Sequence, residues 1–182
     1  MASQFDRSEM RSVPGAICKS LSAFLFAPQI PLWRWCLQAF VLAVVPTVVA
    51  VLLVVGALHL AGIDWRMMAR APTKVSASSA LVIVLLAPLF ETFLLAVGIH
   101  VLQWLSKRKG FVVAVSAILW GIMHALGGVL AFVGTAWSFF VMSCGYLTWH
   151  ERDPAKGFLA AAVPHLLNNA LAFGTLVYFT TA

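Results

Sequence analysis

Residues 111–149 read FVVAVSAILWGIMHALGGVLAFVGTAWSFFVMSCGYLTW, a run of 39 positions without one Asp, Glu, Lys or Arg. A helix rises about 1.5 Å per residue and crosses a hydrocarbon core of about 30 Å with about 20 apolar residues. The run is therefore too long for one crossing. It predicts two helices that turn near Gly127 and Gly128. The rest of the chain agrees with a lipid solvent. Of its 182 residues 62% are hydrophobic and only 10% charged, where soluble domains average about half apolar and a quarter charged.

Working outward, three more apolar stretches are long enough to span, from about Cys36 to Gly62, from about Ser79 to Leu105, and from about Gly157 to Phe179. The expected fold is all-α, a polytopic transmembrane bundle of about five spanning helices. Residues 1–20 read as a polar tail, with Asp6 and Glu9 beside Arg7 and Arg11. The first apolar stretch, Leu21–Phe26, is too short and too quickly followed by Pro28 and Pro31 for a signal peptide. Residues 21–34 suit a short interfacial segment. The organisation expected is thus a tail and interfacial segment over 1–35 and a transmembrane domain over 36–182.

Charge sets the orientation. With the N-terminus inside, cytoplasmic segments hold nine positive residues: Arg7, Arg11, Lys19, Arg34, Lys107, Arg108, Lys109, Arg152 and Lys156. Outer segments hold three, Arg66, Arg70 and Lys74. The positive-inside rule favours this arrangement. The net charge of +6 then serves topology and contact with anionic lipid rather than nucleic acid. Trp33, Trp35, Trp65, Trp104 and Trp149 fall at expected helix ends, where an indole suits the head-group region. Cys18, Cys36 and Cys144 form no CxxC pair and read as small buried hydrophobes.

A few polar residues interrupt the spans. Glu91 is the only acid between Asp64 and Glu151, and a carboxylate at a helix centre costs roughly 2.5–3.5 kcal/mol. It should face the bundle interior; the bland reading is a protonated anchor between helices. His124 lies four residues after Trp120, on the same helix face. His165 and Asn169 are likewise four apart, with Asn168 rotated by about 100°. Interhelical hydrogen bonding is the structural alternative for that pair. His59 and His150 sit near helix ends, and His100 faces away from Glu91. Taken together, one carboxylate, two imidazoles and one carboxamide supply a general base, a water-orienting group and oxyanion donors. Amide hydrolysis without a side-chain nucleophile needs that set.

The pattern resembles the CPBP intramembrane proteases, which include the type II CAAX prenyl endopeptidases and bacteriocin-processing or immunity proteins. That family shows EExxxR, an aromatic residue four before a His, and HxxxN or HxxxD. Here the order is Glu91-Thr92 through Ala96, Trp120 to His124, and His165 to Asn169. The resemblance covers residues 80–175 and implies a glutamic-type endopeptidase. Glu91 would activate water, His124 would help hold it, and His165 with Asn169 would form the oxyanion hole. No cofactor is implied. Zinc is the lesser reading, since two His and one Glu match its donors but no HExxH helix is present.

Two positions depart from that pattern. Thr92 stands where the family has its second Glu, and Ala96 where it has Arg. The two are spaced for an ion pair, and losing both leaves no charge stranded. The missing pair is read as structural support, with catalysis retained.

The expected partners are membrane lipids and a peptide or protein with a membrane-associated segment, without nucleic acid. The expected location is integral to a membrane, the bacterial inner membrane by this resemblance, with a cytoplasmic N-terminus. Two other functions fit: a non-catalytic adaptor or immunity protein of the same kind, and a small proton-coupled transporter, since intramembrane Glu and His also suit proton relay.

Overall fold

The computed structural model describes residues 19–68 and 75–181, and every regular element among them is helical. Residues 19–26 form α1, followed by α2 (Leu32–Leu60), a 3₁₀ turn (Trp65–Met68), α3 (Ala77–Leu105), α4 (Lys109–Ala125), α5 (Val129–His150) and α6 (Pro154–Thr181). The polar tail before residue 19, with Arg7, Arg11 and Cys18, lies outside the described residues, as do Arg70 and Lys74. Helices α2, α3, α5 and α6 are long and apolar enough to cross a membrane. Helix α4 has 17 residues, a rise of about 26 Å at the lower limit for a span. The chain is an all-α membrane bundle.

The long uncharged run breaks where glycine allows it. Gly128 adopts φ 141°, a region that a Cβ strongly disfavours, and this residue ends the turn between α4 and α5. Helix α2 starts at Leu32 rather than near Cys36, because Pro31 in extended conformation (φ −63°, ψ 151°) caps it and cannot itself continue a helix backwards.

Helix α5 is central and packs against α2, α4 and α6. Its segment Val141–Trp149 is buried throughout. The closest approach is at Gly145, where a Cβ would overlap the indole of Trp35. Two tryptophans therefore depart from the expected interfacial role: Trp35 and Trp149 are 0% and 5% exposed and meet edge-on with centroids 6.5 Å apart. Trp33 and Trp104 instead point outwards, at 60% and 81% exposed. The physical reason is that lipid and core are equally apolar, so hydropathy does not tell an outward indole from an inward one.

Helix α1 docks on the bundle. Trp35 Nε1 donates to Phe24 O at 3.1 Å, Thr148 Oγ1 to Leu25 O at 3.0 Å and Arg152 Nη2 to Pro28 O at 2.8 Å. Leu25 is buried in the core. These contacts place α1 at the same end of the bundle as the loops 106–108 and 151–153, which is called the basal end below.

Candidate active site

Glu91 lies at the middle of α3, fourteen residues from Ala77 and from Leu105. Its side chain points into the bundle. Glu91 Oε2 is 3.4 Å from His165 Nε2 of α6 and 3.7 Å from His124 Nε2 of α4. Both separations exceed an ordinary hydrogen bond. The three groups thus face one another without closing on one another.

Each imidazole is fixed through its other nitrogen. His124 Nδ1 is 2.9 Å from Trp120 O, one turn back in α4. A carbonyl only accepts, so Nδ1 carries the proton, and a neutral ring turns its Nε2 lone pair towards Glu91. His165 Nδ1 is 3.3 Å from Thr92 Oγ1. With the Thr92 hydroxyl donating, the neutral ring carries its proton on Nε2, towards the carboxylate. Phe139 of α5 packs against both rings, with centroids 5.2 Å from each, and it stacks on Trp120 at 4.6 Å.

Asn169 meets α3 where that helix is irregular. Residues Leu81–Leu86 are π-helical, and Ala87 N donates five residues back to Val82 O. The next donor in that register is residue 88, a proline without an N–H. The Ile83 carbonyl is consequently released, and Asn169 Nδ2 donates to it at 2.9 Å. Such bulges need an outside partner for the freed backbone group, above all in lipid.

Glu91, His124, His165, Asn168 and Asn169 all line one cavity of about 670 Å³. Thr47 of α2 and Ser138 of α5 line it as well and lie 3.3 Å apart, oxygen to oxygen. Depth follows from helix arithmetic. Glu91 is 14 residues from the basal end of α3 at Leu105, His124 is 15 from Lys109, and Asn169 is 15 from Pro154. At about 1.5 Å per residue all three sit about 22 Å from the basal end. The α4–α5 turn lies at this same level, since His124 precedes the last residue of α4 by one. Beyond it, among the described helices, only α2, α3 and α6 continue.

The sequence-derived candidates Glu91, His124, His165 and Asn169 are therefore gathered around one space. Three further residues carry the arrangement without having been singled out as contributors. Thr92, read as a departure from a motif, is 0% exposed and holds His165. Phe139 packs against both imidazoles. Pro88 creates the carbonyl that Asn169 binds, and a proline inside an apolar span was its visible signal. His100 and His150 form a separate group towards the basal end, with His100 Nε2 2.9 Å from Tyr146 Oη and the ring of His150 stacked on Tyr146. Among the described residues, no group of three His, Cys, Asp or Glu side chains is arranged to hold a metal ion.

Chemically, the pocket suits a water placed between Glu91 and His124. The carboxylate and the Nε2 lone pair both accept, so such a water donates both protons to protein and turns its own lone pairs into the cavity. No protein-family model, curated protein or solved structure matches the chain.

Proposed function

We propose that the chain is an intramembrane endopeptidase that hydrolyses a peptide bond with a water activated by Glu91. The observation that carries the reading is the convergence of Glu91 Oε2 with His165 Nε2 at 3.4 Å and His124 Nε2 at 3.7 Å, on the wall of a cavity inside apolar helices. Glu91 accepts a proton from the water as its oxygen attacks the scissile carbonyl. His165 donates from Nε2 to the oxyanion that forms, and a carboxamide of the Asn168–Asn169 pair supplies the second donor. One such donor is worth roughly 10²–10³ in rate. Glu91 then delivers its proton to the leaving nitrogen, the C–N bond breaks, and a carboxylic acid and an amine result, the acid losing its remaining water-derived proton on release. The likeness to CPBP proteases supports these roles for Glu91, His124 and His165 and assigns the second donor to Asn169, and no step is routed through a cofactor.

On this reading the substrate carries a membrane-associated segment. The positive-inside balance makes the basal end cytoplasmic, in a bacterial inner membrane by the same likeness. The reacting layer then lies in the outer half of a hydrocarbon core of about 30 Å.

The test is cleavage by purified protein in lipid nanodiscs, read by mass spectrometry of membrane-peptide mixtures. Glu91→Gln keeps shape and hydrogen bonding but removes the base. It should abolish cleavage while leaving the thermal midpoint within a few degrees. Cleavage at the wild-type rate by Glu91→Gln ends this mechanism. Proton flux without any cleavage in proteoliposomes would mean a transporter instead.

A further inference from the structure

Asn168 and Asn169 are neighbours on α6, both line the cavity, and their carboxamides are in opposite states. Asn169 is engaged: its Nδ2 donates to the Ile83 carbonyl that Pro88 leaves without a helical partner. Asn168 is not: its Oδ1 is buried and has no hydrogen-bond partner. A buried acceptor without a donor is costly, and hydrocarbon offers it no donor.

We propose that the two amides divide the work, with Asn169 a positioning residue for Glu91 and Asn168 the residue that binds substrate backbone. This rests on the protease reading and names what the site recognises: a spanning segment that has locally unwound. A helical substrate keeps its N–H groups on its own carbonyls. An unwound one presents free N–H groups that hydrocarbon cannot satisfy; Asn168 Oδ1 has essentially no accessible surface at rest, so it accepts one of them as its carboxamide turns from the wall into the cavity. Asn169 works through α3. By claiming the Ile83 carbonyl, it fixes the bulged turn that sets the rotation and height of the helix carrying Glu91.

The first test measures binding and needs no turnover. The probes are two synthetic Leu/Ala spanning peptides of about 20 residues, one unbroken and one with a central Gly-Pro break. They are titrated by fluorescence anisotropy into Glu91→Gln protein in nanodiscs. The broken peptide should bind at least about tenfold more tightly. Ester replacement of each amide near the break, which deletes one N–H at a time, should weaken binding about 3- to 13-fold at one position. With Asn168→Leu added, that position should lose its special status. Equal binding of the two peptides, no binding of either, or an ester profile that is flat in the parent or unchanged by Asn168→Leu overturns the proposal for Asn168.

The second test is a rescue. Asn169→Leu should lower kcat about tenfold or more with KM within about twofold. Pro88→Ala restores an N–H to α3 and removes the need for the latch, so adding it should recover most of the loss. An isotope-edited infrared band of the Ile83 carbonyl should shift with Asn169→Leu and return with Pro88→Ala, in the absence of any substrate. A band unmoved by Asn169→Leu, or not returned by Pro88→Ala, overturns the latch whether or not the protein is a protease. If both binding and carbonyl effects hold while no peptide is ever cleaved, the protease reading fails and the division between the two amides stands.

Discussion

Removing the Thr92 hydroxyl tests how His165 is prepared for its role. Thr92 is completely buried, and its Oγ1 is 3.3 Å from His165 Nδ1. Valine replaces that hydroxyl by a methyl group, so Thr92→Val deletes the hydrogen bond and leaves no cavity. The bond is at the long end of the range. Side-chain hydrogen bonds between membrane helices average about 0.6 kcal/mol, and the upper end for a neutral pair is about 1.5 kcal/mol. At about 1.4 kcal/mol per tenfold change in rate, Thr92→Val should lower kcat about 3- to 13-fold, with KM little changed. Thr92→Ser, which keeps the hydroxyl, should stay close to wild type. The proton on His165 can be followed independently through ¹⁵N shifts of its ring, which should show the Nε2–H tautomer losing population in Thr92→Val. An unchanged tautomer ratio with unchanged kcat, or Thr92→Ser failing as badly as Thr92→Val, would refute the argument that this hydroxyl orients the imidazole.

Other outcomes follow from packing and charge. Gly145→Val sets a side chain into the Trp35 indole and should lower stability in detergent unfolding by about 1–3 kcal/mol or more, whereas Gly98→Ala, with open space at its Cβ, should be neutral or slightly stabilising. Thr92→Glu buries a carboxylate without a cation and should cost about 3–5 kcal/mol; adding Ala96→Arg should recover part of it, and strictly additive effects in that double-mutant cycle would count against an i, i+4 ion pair. The buried Ser116–Ser143 hydrogen bond, 3.0 Å between oxygens, should show a coupling of about 0.6 kcal/mol in an alanine double-mutant cycle. Lys109→Ala breaks the 2.6 Å pair with Glu151, but both side chains are well exposed, so the unfolding midpoint should move by less than about 1 kcal/mol equivalent.

The order of helices was legible in the sequence because it depends on length and apolarity alone; of about five expected spans, four are long and apolar enough to cross and α4 is shorter. The Gly127–Gly128 turn was legible because an uncharged run of that length has to reverse. Glu91, His124, His165 and Asn169 stood out because polar groups in hydrocarbon are costly enough to be conspicuous. The facing of apolar residues was not legible. A lipid-exposed face and a core face have the same hydropathy, which is why Trp35 and Trp149 read as interfacial anchors while standing in the core. Asn168 was set aside because 100° separates it from Asn169 along the helix. That argument holds for a narrow groove, and a cavity of about 670 Å³ is broad enough to touch both. The role of Thr92 was hidden for another reason. Its partner is 73 positions away, and no local spacing encodes such a contact.

The attachment of α1 has a consequence for biogenesis. The groups that fasten it, Thr148 and Arg152, lie 123 and 124 positions further along the chain than the carbonyls they bind. At a ribosome, residues 19–28 therefore emerge well before these partners and complete their berth only after α5 has been delivered and turned. Loop-closure entropy makes so distant a junction late in any route. The two distant fastenings grip main-chain oxygens and so check that assembly is finished, while the buried Leu25 and the Phe24 ring stacked on Trp35 are where the segment's own amino acids are read.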